Sequence, residues 1–119
     1  MTGAALAVME TLGARMADVR AGIGPAIGPD RYQVGAEVAD AARGAFGPRA
    51  FLRPDGTGAW LFDLWAANRF LLRDAGVPDR NIHLAGVPTG PEPGLFFSDR
   101  TARPCGRFAA LARLRPEAG

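Results

Sequence analysis

The sequence predicts an α+β (mixed α/β) fold, a small mixed β-sheet with two to three packed helices. Three observations predict it. Apolar residues recur at three- and four-residue spacing in three separate stretches. Short apolar runs alternate with those stretches. The chain has 119 residues, enough for one domain with its own core and too few for a full doubly wound sheet.

The first helix is expected over residues 4–17, where Ala5, Val8, Met9, Leu12 and Met16 fall on one face. Gly13 weakens it. Only Thr2 precedes it as a cap, so the chain is expected to open in the middle of a fold. Val19 to Ile23 reads as a strand. The following Gly22–Pro29 stretch is rich in Gly and Pro. Pro25 and Pro29 remove two N–H donors that a phosphate cradle would use, and the chain has no Lys for a Walker loop. A structural turn and a ligand-lining loop both remain open here.

Asp30 is expected to cap a second helix over Tyr32–Phe46, with Val34, Val38, Ala41, Ala42 and Ala45 inward and Gly47-Pro48 as its end. Residues 47–59 read as a loop with Phe51 tucked inward and a turn at Asp55-Gly56. Trp60-Leu61-Phe62 leads into Asp63, the expected N-cap of a third helix that runs to about Ala75. Its stripe is Leu64, Ala67, Asn68, Leu71, Leu72 and Ala75, and Gly76 stops it. Asn81–Ala85 alternates around Ile82 and Leu84 as a strand. A loop with Pro88, Pro91 and Pro93 follows. Then come Leu95–Arg100, in which two aromatics are expected to be buried, a turn at Arg103-Pro104, a last strand over Phe108–Leu114, and a frayed tail from Arg115 to Gly119.

Composition narrows the function classes. Hydrophobic residues make up 48%, which excludes a disordered chain. All 14 basic residues are Arg, scattered among 12 acids, with no basic run of the kind that tracks a phosphate backbone. Abundant Arg, Gly, Ala and Pro is what a GC-rich genome encodes, so no nucleic-acid partner is expected. Cys105 is the single cysteine, which rules out an intramolecular disulfide and fits a reducing compartment. No apolar run approaches the ~18 residues of a membrane span, so cytoplasm is the expected location and no membrane partner is expected.

A catalytic zinc needs three protein ligands, and the chain has one His and one Cys. His83 alternates with strand apolars and lacks matching partners. Cys105 has neighbouring Arg residues but no nearby base. No metal site and no catalytic residue is therefore expected in this chain. Ser98, Arg100 and Arg107 are the candidate anion-binding residues, because guanidinium presents fixed parallel donors. An internal salt bridge, with Asp99 paired to Arg100 or Arg107, is the competing reading of the same residues.

Five stretches in order resemble the YfiH family, also called the polyphenol oxidoreductase or "laccase" family. They are Ile23–Pro29 with Tyr32 and Val34-Gly35; Asp63-Leu64-Trp65 with Asn68; Ala75-Gly76-Val77 with Asn81-Ile82; Leu95-Phe96-Phe97-Ser98 with Arg100; and Gly106-Arg107. The sequence departs from the family at Gln33, at Pro88-Thr89, at Asp99 and Thr101, and at Cys105. The resemblance implies a partial YfiH-like fold, with residues 1–119 as its C-terminal part and the N-terminal, zinc-ligating half absent. It implies zinc for the full family domain and none bound by this chain alone. The implied partners are a purine nucleoside and phosphate, in a phosphorylase or adenosine deaminase reaction. Ser98, Arg100 and Arg107 would contact the anion, with Gly24 and Gly28 in the loop nearby.

Two readings follow from the resemblance. One is a C-terminal portion of such an enzyme, from a truncated gene, a misplaced start or a split chain, and inactive alone. The other is a non-enzymatic remnant or binding module that keeps the fold. Either way an apolar face is expected to be exposed, leading to self-association or pairing with a missing half.

Overall fold

The computed structural model describes residues 2–90, 95–100 and 103–115. The expectations placed on Pro91, Pro93 and Thr101, and on the tail from Pro116 to Gly119, fall outside these residues. Eight elements follow in order: α1 (Thr2–Thr11), β1 (Ala21–Ile23), β2 (Gln33–Val34), α2 (Ala36–Phe46), β3 (Leu52–Pro54), β4 (Trp60–Phe62), α3 (Leu64–Asp74) and β5 (Ile82–Leu84). This is the expected class, three helices with short strands in mixed pairing. The strands form two small sheets. β1 pairs parallel with β5, Ala21 opposite Ile82 and Ile23 opposite Leu84. β2, β4 and β3 form an antiparallel sheet with β4 in the middle.

α3 ties the two sheets together because its two halves bury different residues. Leu72 joins Leu6, Val19, Val77 and Ile82 around β1 and β5. Ala67 joins Val34, Ala42, Ala50 and Phe62 around the three-stranded sheet, with Phe46, Phe51 and Leu64 packed on them. Asp63 starts the helix as expected, its Oδ1 accepting from the Ala66 N–H at 2.9 Å. Gly76 stops it at φ +97°, a left-handed conformation that suits glycine. Asn81 then locks the first core: its Nδ2 donates to Ala17 O and Val19 O, both at 3.0 Å.

Several expected elements differ. α1 ends at Thr11 rather than residue 17, because Gly13 takes φ +91° and turns the chain. Its buried residue is Leu6, while Val8, Met9 and Leu12 are exposed. The expected helix from Tyr32 begins only at Ala36, since Gln33 and Val34 pair with Leu61 and Trp60. Gly35 is its N-cap, and Asp30 instead meets Arg53 at 2.6 Å. α2 buries Ala39 and Ala42, so Val38, Ala41 and Ala45 lie off the core face. Leu52–Pro54, expected as loop, is the β3 edge strand. Pro54 fits there because an edge position needs no donor toward solvent. Asp55 N–H bonds to Ala59 O at 2.9 Å across the expected turn.

Phe51 does point inward, but at a conformational cost. Its φ is +53°, which disfavours a side-chain-bearing residue by about 1–2 kcal/mol. The ring is wedged between Phe46 and Phe70, with centroids 5.4 and 5.6 Å away, which offsets that cost. The last strand does not form. Among the described residues, Phe108–Leu114 makes no ladder, and Leu111 and Leu114 are 97% and 95% exposed. Alternation alone cannot make a strand without a partner edge for its N–H and C=O groups. No helix of the described residues is long and apolar enough to cross a membrane.

Candidate functional site

The site is built where the loop after β1 meets the chain after β5. Ala26 and Pro88 form a parallel bridge, and the Thr89 N–H donates to Ala26 O at 3.0 Å. Gly28 is buried beneath this crossing, where an added Cβ would stand 3.4 Å from Pro88 Cβ. Gly24 is exposed and open, with nothing within 4 Å of such a Cβ. The loop thus has a structural end at Gly28 and an accessible end at Gly24. Gly90 N–H continues the path by donating to Phe96 O at 3.3 Å.

The Leu95–Arg100 segment packs on the Gly106–Phe108 segment. Phe96 and Phe108 have ring centroids 4.9 Å apart. The Phe97 ring lies directly on Gly106, so that an added Cβ would fall 2.7 Å from its edge. Only a residue without a side chain permits this approach. The expectation that both aromatics are buried holds in part. Phe96 is half-buried, whereas Phe97 is 57% exposed because it covers backbone rather than entering a core.

Arg100 reaches back across the chain. Its Nη2 donates to Gln33 O, and its guanidinium carbon sits 5.0 Å from the Tyr32 ring centroid. Arg107 lines a recess of about 230 Å³ with Phe97, Asp99, Cys105 and Phe108. It makes no ion pair among the described residues. Ser98 is half-buried, directly before the Asp99-Arg100 turn. The structure therefore brings Ser98, Arg100 and Arg107 onto two adjoining packed segments. Arg107 faces the recess and Arg100 turns to β2. Gly24 and Gly28 join them only through the Pro88–Gly90 crossing.

Asp99 pairs with neither expected arginine. Arg103 Nη2 holds its Oδ2 at 2.6 Å, and Arg103 Nε donates to Asp99 O at 3.1 Å. The four-residue separation could have pointed to this pair. The role of Tyr32 as a platform for Arg100 had no local signal, since the two are far apart in sequence. Cys105 Sγ lies 4.0 Å from Asp99 Oδ1, and His83 is exposed on β5. Among the described residues no group of three or more His, Cys, Asp and Glu stands together. A larger cavity of about 540 Å³ lies elsewhere, lined by Met9, Val19 and Leu114 together with Arg15, Asp18 and Arg20.

Known proteins resemble this chain over most of its length. The family profile described as multi-copper polyphenol oxidoreductase laccase matches residues 1–115. A protein of Geobacillus stearothermophilus called purine nucleoside phosphorylase YlmD is 40% identical over 84% of this chain and 38% of its own. A Pseudomonas aeruginosa protein called a purine nucleoside phosphorylase is 34% identical over 92% of this chain and 45% of its own. The crystal structure of a hypothetical protein YfiH from Bacillus licheniformis superposes with a TM-score of 0.77 at 32% identity, covering 83% of this chain and 38% of that one. These matches correct the expectation of a resemblance to a C-terminal half only. Between 83% and 92% of the chain is matched, so the family describes most of it rather than a fragment. The chain spans less than half the length of the relatives it matches.

Proposed function

The chain belongs to the multi-copper polyphenol oxidoreductase laccase family, and we propose from that premise that it binds phosphate and a purine nucleoside through the Ser98–Arg107 region. The observation that carries this reading is the contrast between the two arginines. Arg100 is held by the Tyr32 ring and Gln33 O, while Arg107 borders the recess without a counter-ion among the described residues. A guanidinium has five N–H donors, so one bond to Gln33 O leaves Arg100 further donors for an anion. Ser98 would supply a hydroxyl from the residue just ahead of the Asp99-Arg100 turn. The exposed Gly24 end of the loop after β1 would be a wall of the same site.

In phosphorolysis a phosphate oxygen bonds to C1′ of the sugar as the C1′–N9 bond breaks, and the base leaves with the electron pair. The residues above would orient the phosphate and offset its charge. The family resemblance also implies zinc. The described residues do not fit it: His83 is exposed on β5, Cys105 adjoins only Asp99, and no trio of ligands converges. The same absence of a trio among the described residues favours the second reading, a binding module that keeps the fold without the chemistry.

The test is to incubate the purified chain with inosine or adenosine and phosphate, and to follow free base by chromatography. The expected result is no turnover, with a phosphate-dependent rise in Tm that R107A removes. Turnover by the chain alone would overturn the inactive reading. A Tm indifferent to phosphate would overturn the anion site.

A further inference from the structure

Among the described residues Thr89 is the buried polar residue, 9% exposed, and its hydroxyl has no hydrogen-bond partner there. The hydroxyl is not sealed in, because the one buried side-chain polar atom without a partner among the described residues is Trp65 Nε1. Packing therefore holds the rest of the Thr89 side chain and leaves the hydroxyl open to a ligand. Valine has the same shape and would fill this place with no hydroxyl to satisfy.

Contacts on both sides fix where that hydroxyl stands. Pro88, just before it, bridges to Ala26 and lies against Gly28. The Thr89 N–H donates to Ala26 O at 3.0 Å, and the Gly90 N–H, just after it, donates to Phe96 O at 3.3 Å. Thr89 is thus tied on one side to the loop after β1 and on the other to the segment that carries Ser98 and Arg100. Phe96 and Ser98 are two residues apart, so at most about 7 Å of chain separates them. β-branching leaves Thr little rotamer freedom, so a backbone held at both ends also holds the hydroxyl.

The surroundings select the group it meets. Ala26, Gly28, Pro88, Gly90 and Phe96 carry no charge. The guanidiniums that would meet an anion belong to Arg100 and Arg107, further along the chain. A threonine hydroxyl both donates and accepts, whereas an ionised phosphate oxygen only accepts. The counterpart that uses both capacities in a neutral setting is another hydroxyl.

We propose that Thr89 binds a sugar hydroxyl of the nucleoside, so that the site takes ribosides in preference to free bases. This rests on the reading of the Ser98–Arg107 region as a phosphate and nucleoside site, and it adds the residue that reads the sugar.

Calorimetric titration of inosine, and of its free base hypoxanthine, into the wild-type chain, T89V and T89S tests it. The wild type is expected to bind inosine more tightly than hypoxanthine. T89V should bind inosine about five- to tenfold more weakly, the worth of one hydrogen bond, and hypoxanthine as the wild type does. T89S, which keeps the hydroxyl, should stay close to the wild type. T89V should also keep the phosphate-dependent rise in Tm, since that belongs to Arg107. Equal inosine affinity in T89V and the wild type would overturn the proposal, as would an equal loss for inosine and hypoxanthine. A wild type that does not prefer inosine would overturn it without any variant. Each of these results leaves the anion site standing if the wild-type Tm still rises with phosphate. A Tm indifferent to phosphate would overturn that site and this inference with it.

Discussion

Arg100 stands 5.0 Å from the centre of the Tyr32 ring, although the two residues are far apart in sequence. Together with the hydrogen bond from Arg100 to Gln33 O, this contact fastens the Asp99-Arg100 turn to β2 and the residue before it. It places one guanidinium of the candidate site on a rigid sheet and leaves the other, Arg107, at the recess. A double-mutant cycle of Y32L and R100A is expected to give a coupling energy of about 0.5–1 kcal/mol, the range for an exposed cation over an aromatic face. Urea denaturation of the four proteins measures it. Strict additivity would mean the contact contributes nothing.

Alanine at Gly106 is predicted to be mildly destabilising because of its neighbour rather than its backbone. The added Cβ would fall 2.7 Å from the Phe97 ring. That ring is largely exposed and can swing away, so the loss should be near the low end of overpacking costs, about 1 kcal/mol. In an F97A background the G106A change should be neutral. A full loss in that background would place the strain elsewhere.

The cap of α3 gives a third expectation. D63A removes the acceptor of the Ala66 N–H and should cost about 1 kcal/mol, while D63N should cost only a few tenths. Equal losses in thermal unfolding would mean that the cap bond is not the source of the effect.

Leu72 should be the more costly position on the same helix. It is buried among Leu6, Val19, Val77 and Ile82, so L72A should lose about 2–4 kcal/mol. Exposed Leu71, one residue earlier, should lose well under 1 kcal/mol on the same change. Chemical denaturation of the two variants decides between a core confined to Leu72 and one that includes both.

Acid should selectively weaken the α3–β5 connection. Arg69 donates to both oxygens of Asp79, at 2.9 and 2.6 Å, and that hydrogen bonding holds the Asp79 carboxyl below its usual range. A depressed folded-state value means that the stabilisation is present above the ordinary carboxylate pKa, about 3.9, and is lost as pH falls through the lower folded value. D79N should therefore unfold at lower urea than wild type at neutral pH and at the same urea in strong acid. The pair is solvent-exposed, so the gap should narrow in high salt. A constant gap across pH would exclude the carboxylate as its origin.

Local chemistry made much of the fold legible. The N-cap at Asp63, the glycine stop at Gly76, the Asp55-Gly56 turn and the Ile82–Leu84 strand depend on one residue or on neighbours a few places apart. The boundaries of α1 and α2 were less legible. Gly13 ended one helix early, and cross-chain pairing with β4 took Gln33 and Val34 out of the other. At the candidate site the residue types were visible and their pairings were not. Asp99 chose Arg103 and Arg100 chose Tyr32, because distance in space rather than in sequence decides which charge meets which partner.

By itself, then, the sequence determined the class of fold, the order of its helices and the ordered motifs by which the family is recognised. Those properties reside in spacing, in caps and in residue type, all of which act within a few residues. The tertiary structure alone decided that α3 joins two separate sheets, that Phe97 rests on Gly106, and that Phe108–Leu114 has no ladder among the described residues. Each of these depends on whether a distant surface is present at the right distance, and burial and hydrogen bonding are rewarded only when it is.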